Sequence, residues 1–117
     1  MIDIDGYTVS ITRGDTAYIK FNLTNSAGQP ITLESGDVVK CQVRDKKIGG
    51  RLLFDGVIER DNNEIVWHIR PQDTKDLQAL TYFWDAEVRY VGGDIFSFVP
   101  VSKFIVWPEI TMGDGEL

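Results

Sequence analysis

The side chains that could do chemistry are few and scattered. The chain holds one histidine, His68, and one cysteine, Cys41. His68 lies between Trp67 and Ile69. In an extended segment it therefore points away from both neighbours. A hydrolytic triad needs a serine or cysteine and an acid converging on such an imidazole. The sequence shows no nucleophile-elbow pattern and no histidine pair at metal-ligand spacing. The expectation for His68 is an exposed cross-strand side chain. Cys41 falls in phase with Val39 and Val43. A buried cysteine behaves as a small hydrophobe, whereas a nucleophilic thiol wants a cationic, partly open site. Asp3, Asp5 and Gly6 open like a calcium loop, but Tyr7 stands where an oxygen ligand is needed. No glutamate closes that loop at the required spacing. The same reading, a polar segment without a ligand set, covers Asp114, Gly115 and Glu116. No catalytic, metal or cofactor residue is expected.

Two charged motifs invite binding rather than catalysis. Arg13-Gly14-Asp15 spells the integrin-binding tripeptide. Gly-Asp between two extended runs is ordinary turn chemistry, and a turn is the expectation. Lys46, Lys47 and Arg51 cluster around a flexible loop that suits an acidic partner or simply a solvated turn. With no interleaved aromatics, that cluster lacks the stacking platform of a single-strand nucleic-acid binder.

The aromatic residues carry more information. Trp67 and Trp84 have inward phase and belong to a core. Phe83 has outward phase, beside Asp85. Phe96 and Phe98 share one face of the last extended region, with Ile95 and Val99 on the other. Trp107 lies near the C-terminal end, before Pro108. Both faces of this last region are partly apolar, so it is either doubly buried or part of an interface. Phe83, Phe96, Phe98 and Trp107 are the candidate interface residues. Half-exposed aromatics also stack on sugar rings, and glycan binding is the alternative reading.

The elements that must position these groups follow a period of two. Ala17, Ile19, Phe21 and Leu23 alternate with polar residues, as do Val39, Cys41 and Val43. Ile65, Trp67 and Ile69 form a third set. Tyr82, Trp84, Ala86, Val88 and Tyr90 form a fourth. Each run gives one buried and one wet face, which suits antiparallel sheets packed on one side. Two further extended runs are Tyr7 to Ile11 and Arg51 to Ile58. Gly92-Gly93-Asp94 is a hairpin signal. Pro71 and the stretch after it predict one short helical turn near 73–79. Pro100 cannot donate to a ladder, so the last strand should be bent, bulged or at an edge. The prediction is an all-β fold: an immunoglobulin-like antiparallel β-sandwich of about seven strands. Tyr82, at a strand start after Leu77 and Leu80, fits a tyrosine corner, whose hydroxyl bonds upstream backbone.

A chain of 117 residues fits one domain, placed at 1–111 with a flexible tail at 112–117. The formal charge of −6 disfavours nucleic acid and anionic membranes as general partners. A lone cysteine permits no internal disulfide. No basic-then-apolar leader opens the sequence, and its apolar runs are far below membrane-spanning length. Synthesis and folding in a cytoplasm, without a signal peptide, are expected; the resemblance described next implies a bacterial one.

Short degenerate pieces, in order and spaced along nearly the whole chain, resemble a known family. They are Arg13 to Thr16 leading into Ile19, Phe21 and Leu23, then Gly28 to Leu33 and Val39 to Arg44. Glu64 to Trp67, Asp73-Thr74 with Leu77, Tyr82 to Asp85 and Phe104 to Thr111 follow. Together they are similar to the immunoglobulin-like N-terminal domain of the baseplate upper protein of tailed phages. The resemblance implies a non-enzymatic virion component used in tail, baseplate or fibre attachment. Its partners would be other phage structural proteins or further copies of itself. Members usually continue into a longer C-terminal region, whereas this sequence ends soon after the matched pieces. No functional residue carries over, because the matched positions have structural roles.

Overall fold

The computed structural model describes residues 2–24, 27–61 and 64–109, with side chains from residue 6 onward. The expected flexible tail at 112–117, with Asp114 and Glu116, lies outside the described residues. So do the carboxylates of Asp3 and Asp5. In chain order the strands are β1 (Ile2–Asp5), β2 (Thr8–Thr12), β3 (Ala17–Asn22), β4 (Val38–Arg44) and β5 (Leu52–Phe54). They continue as β6 (Val57–Asp61) and β7 (Glu64–Ile69). A single helical turn, α1 (Pro71–Thr74), precedes β8 (Thr81–Arg89) and β9 (Ile95–Trp107).

Two sheets make an all-β sandwich. One has the order β1-β2-β9-β8-β4-β5, the other β3-β7-β6. The alternating side chains meet between them. Val39, Cys41 and Val43 of β4 face Ile65, Trp67 and Ile69 of β7 across a closed interior. Trp67 and Trp84 stack across the layers at 5.1 Å. Burying two such side chains contributes about 5 kcal/mol each as an upper bound. Their indole N–H groups are both satisfied: Trp67 donates to Asp55 O at 2.9 Å and Trp84 to Tyr7 O at 2.8 Å.

Several sequence expectations need correction. Nine described strands replace about seven. The alternating Ile-Asp segment at the start, read as merely polar, pairs as β1. The run from Arg51 to Ile58, read as one strand, divides between the two sheets. The break is at Gly56, whose φ is +65 and whose absent Cβ would stand 2.6 Å from Trp67 Nε1. Only a glycine lets the chain cross between sheets so close to that indole. The pairing is also not purely antiparallel. β2 lies parallel to β9, from Val9 opposite Phe104 to Thr12 opposite Trp107. Parallel neighbours need a long connection, and here most of the domain supplies it.

The helical turn is earlier than expected, at 71–74 rather than 73–79. Pro71 presets the first helical φ, and the Asp73 carboxylate accepts from Arg70 N at 2.8 Å. The turn stops at Thr74, which is fully buried and accepts from Gly14 N at 2.8 Å. In β9 the irregularity expected around Pro100 is present, but it places Phe98 and Val99 differently from expectation. The register of β9 against β8 shifts twice, once on each side of the pairing between Ala86 and Val99. Pro100 lies within the first of these irregularities and Phe98 within the second. The two shifts turn Phe98 and Val99 toward the interior in succession, so Val99 is buried rather than opposite Phe98.

Candidate interaction surfaces

The groups first considered for catalysis are occupied structurally. His68 stacks on its cross-strand partner Tyr18, ring centroids 4.4 Å apart and nearly parallel. Cys41 is fully buried, and burial first and Asp85 second push its thiol well above the usual range. A thiol held that way is a poor nucleophile. Arg13 of the Arg-Gly-Asp tripeptide grips Glu109 with two bonds, at 2.9 and 3.0 Å, and donates to Leu77 O at 3.0 Å. Gly14 takes the positive φ of a turn. The Arg13 side chain is thus a latch between the chain's two ends rather than a displayed recognition group. Nearby, Tyr82 donates its hydroxyl to Gln78 O at 2.8 Å, the upstream bond of a tyrosine corner.

The four candidate interface aromatics do not converge. Phe98 is half-buried and packs edge-on against Phe21 at 5.6 Å. It packs against the core and is accessible only through the groove beside β9. Phe96 is 60% exposed and leans on Tyr90. Trp107 is 55% exposed but lies at the other end of the 13-residue β9. Phe83 is half-buried on the outer face of the larger sheet. With Trp67 and Trp84 in the core, Trp107 has no tryptophan partner for a flat sugar platform.

Two surfaces emerge instead. The first is the opening half of β9. β2 covers only Phe104 to Trp107, so among the described residues no strand pairs with Ile95 to Lys103 on that side. A strand edge without a partner presents backbone donors and acceptors to any added strand. Ile95, Phe96 and Val91 stand exposed around it. A groove of about 340 Å³ runs beside this edge, lined by Phe21, Leu23, Phe98 and Val99 with Tyr7 and Lys20. The hairpin tip above it is fixed by Asp37, which accepts from Val91 N at 2.9 Å and Glu34 N at 2.7 Å. Those two amides hold the Asp37 carboxyl below the usual carboxylate range.

The second surface lies on the outer face of the larger sheet. Register places Arg44 opposite Phe83, and Phe83 opposite Lys103. An aromatic ring is therefore flanked by a cation on each neighbouring strand. The loop after β4 adds Lys47, whose Nζ sits 5.7 Å from the Phe83 ring centroid. The reading of the basic cluster as lacking aromatics is thereby corrected. The loop base is braced. Arg51 N donates to Asp45 Oδ1 at 2.8 Å, and Arg44 donates to Gly50 O and Gln42 Oε1 at 3.0 Å each. A cleft of about 270 Å³ opens between loop and sheet. Asp85, half-buried in its wall, has its carboxyl raised by burial first and Glu87 second. The sequence signal for this site was the outward phase of Arg44 and Phe83. The register that joins them is a tertiary fact.

No family model matches the chain, and no curated protein does. Among solved structures it is similar to CopC from Methylosinus trichosporium OB3b. That likeness has a TM-score of 0.51 and 15% sequence identity, and spans 88% of this chain and 86% of the other. At that identity the likeness speaks for the sandwich fold alone.

Proposed function

We propose that the chain is a non-enzymatic assembly module that works by protein–protein contact, of the phage or prophage virion kind. Its place would be tail, baseplate or fibre attachment, on other virion proteins or on copies of itself. The observation that carries this reading is the uncovered half of β9, with Ile95 and Phe96 exposed beside a backbone edge. Pro100 and the two register shifts shorten that edge, so uncontrolled strand addition is limited. What remains suits a short added strand whose apolar side chains enter the groove over Phe21 and Phe98. The resemblance of the residue pattern to the baseplate domain supports the virion setting.

The test has two parts. The genes flanking this one are examined first; tail or head genes support the reading, and a metabolic operon sinks it. Products of the adjacent genes are then co-expressed with the wild type and with Phe96→Ser. Co-purification lost in the variant is the expected result. Equal recovery with both chains would remove β9 as the contact.

A further inference from the structure

The outer face of the larger sheet carries an inference independent of the β9 edge. We infer that the Phe83 cleft is a second docking site, built for an acidic, extended segment of a partner protein. Charge complementarity is the first argument. The chain as a whole is acidic, with 18 carboxylate side chains against 12 Lys and Arg. Yet four of those cations, Arg44, Lys46, Lys47 and Lys103, line two hollows that share Phe83. Grouped in this way they make a local positive field that attracts a negatively charged segment.

Shape is the second argument. Two adjoining hollows of about 270 and 370 Å³ both include Lys47, Phe83 and Val101. They make one trough that passes over Phe83. At its rim Ile48 is 90% exposed, at the tip of a loop whose base is hydrogen-bonded shut. Gly50 makes that loop tight: a Cβ there would meet Lys46 O at 2.6 Å and Lys46 N at 2.7 Å. An apolar side chain standing in solvent beside a cationic trough suits a segment that alternates acidic and apolar residues.

Nucleic acid fits less well. Asp85 lines the trough and Glu87 lies two residues further on along β8; both repel any anionic segment, and a phosphate backbone has no N–H donors to offset that. For a peptide the same carboxylates offer acceptors to backbone N–H groups. Mixed charge beside an aromatic floor thus favours a protein segment.

The test titrates the isotope-labelled full chain with a short peptide alternating glutamate with leucine and phenylalanine. Amide shifts are followed by NMR, and affinity by fluorescence anisotropy of the labelled peptide. Shifts should gather on Lys47, Phe83 and Val101. The double reversal Lys46→Glu with Lys47→Glu should weaken binding by about tenfold or more. Ile48→Ser should weaken it by about fivefold. All three residues are exposed, so both variants should melt with the wild type. No shift at the cleft at millimolar peptide overturns the proposal. Equal binding of the lysine-for-glutamate peptide overturns it too. So does a single-stranded oligonucleotide that moves the same amides at equal or lower concentration.

Discussion

The two halves of β9 are built from similar residues and meet opposite fates. Phe104 to Trp107 pair with β2, Phe104 and Ile105 pair with β8 as well, and Phe104 and Val106 are buried. Ile95 to Val99 pair with β8 alone, and Ile95 and Phe96 are exposed. Around the paired half the molecule is tied shut. Arg13 bonds Glu109, Thr74 holds Gly14, and Tyr82 holds Gln78. Around the unpaired half one carboxylate, Asp37, fixes the hairpin tip and the strand edge stays open. The difference teaches that apolar content does not decide what a strand is for. A partner on each side makes it structure, and a missing partner leaves it free to bind.

Substitutions can break this comparison, and the largest effect is expected at the closed end. Phe104→Ala should cost about 3–5 kcal/mol in urea unfolding followed by tryptophan fluorescence, because a fully buried ring leaves a cavity. Phe96→Ala should stay within about 0.5 kcal/mol, since its ring is mostly in solvent. Similar losses for both would erase the distinction between the halves. Gly56→Ala should destabilise by about 2–4 kcal/mol, through a positive φ and a clash with Trp67. A neutral result there would mean that the crossing between sheets is not tight. Tyr82→Phe should cost about 1–2 kcal/mol by leaving Gln78 O without its donor.

The smallest expected effect is on pH dependence. Arg13 holds the Glu109 carboxyl below the usual range, and the Val91 and Glu34 amides do the same for Asp37. A carboxylate with a depressed folded pKa gives stability that is complete above its unfolded pKa. That stability is lost as pH falls through the folded value. Acid should therefore loosen both ends. Glu109→Gln should flatten the acid limb of amide exchange near Leu77, and Asp37→Asn should do so at Val91. Asp85 has the opposite sign, because a raised pKa makes its ionised form disfavour folding as pH rises. An acid limb unchanged in both variants would show that neither carboxylate contributes.

Much of the architecture was legible because burial here is local and periodic. Ile65, Trp67 and Ile69 alternate in the chain and all three are buried. Tyr82, Trp84, Ala86 and Val88 do the same. The surfaces were legible only in pieces. Phe83 stood out as an outward aromatic, and Lys46 and Lys47 as a basic loop, but nothing local joined them. Phe98 was misplaced because bulges in β9 reset the alternation, and a bulge depends on the facing strand.

The sequence by itself determined the alternation of β3, β4, β7 and β8 and the core residues on their inner faces, because in an uninterrupted strand side-chain direction follows position parity. Tertiary structure decided which strands lie side by side. It therefore decided that β2 covers half of β9, that Arg13 reaches Glu109 across 96 residues, and that Arg44, Phe83 and Lys103 share a row. Those contacts join segments far apart in the chain. Their geometry is set by loop closure, register and twist, which no short window of residues contains.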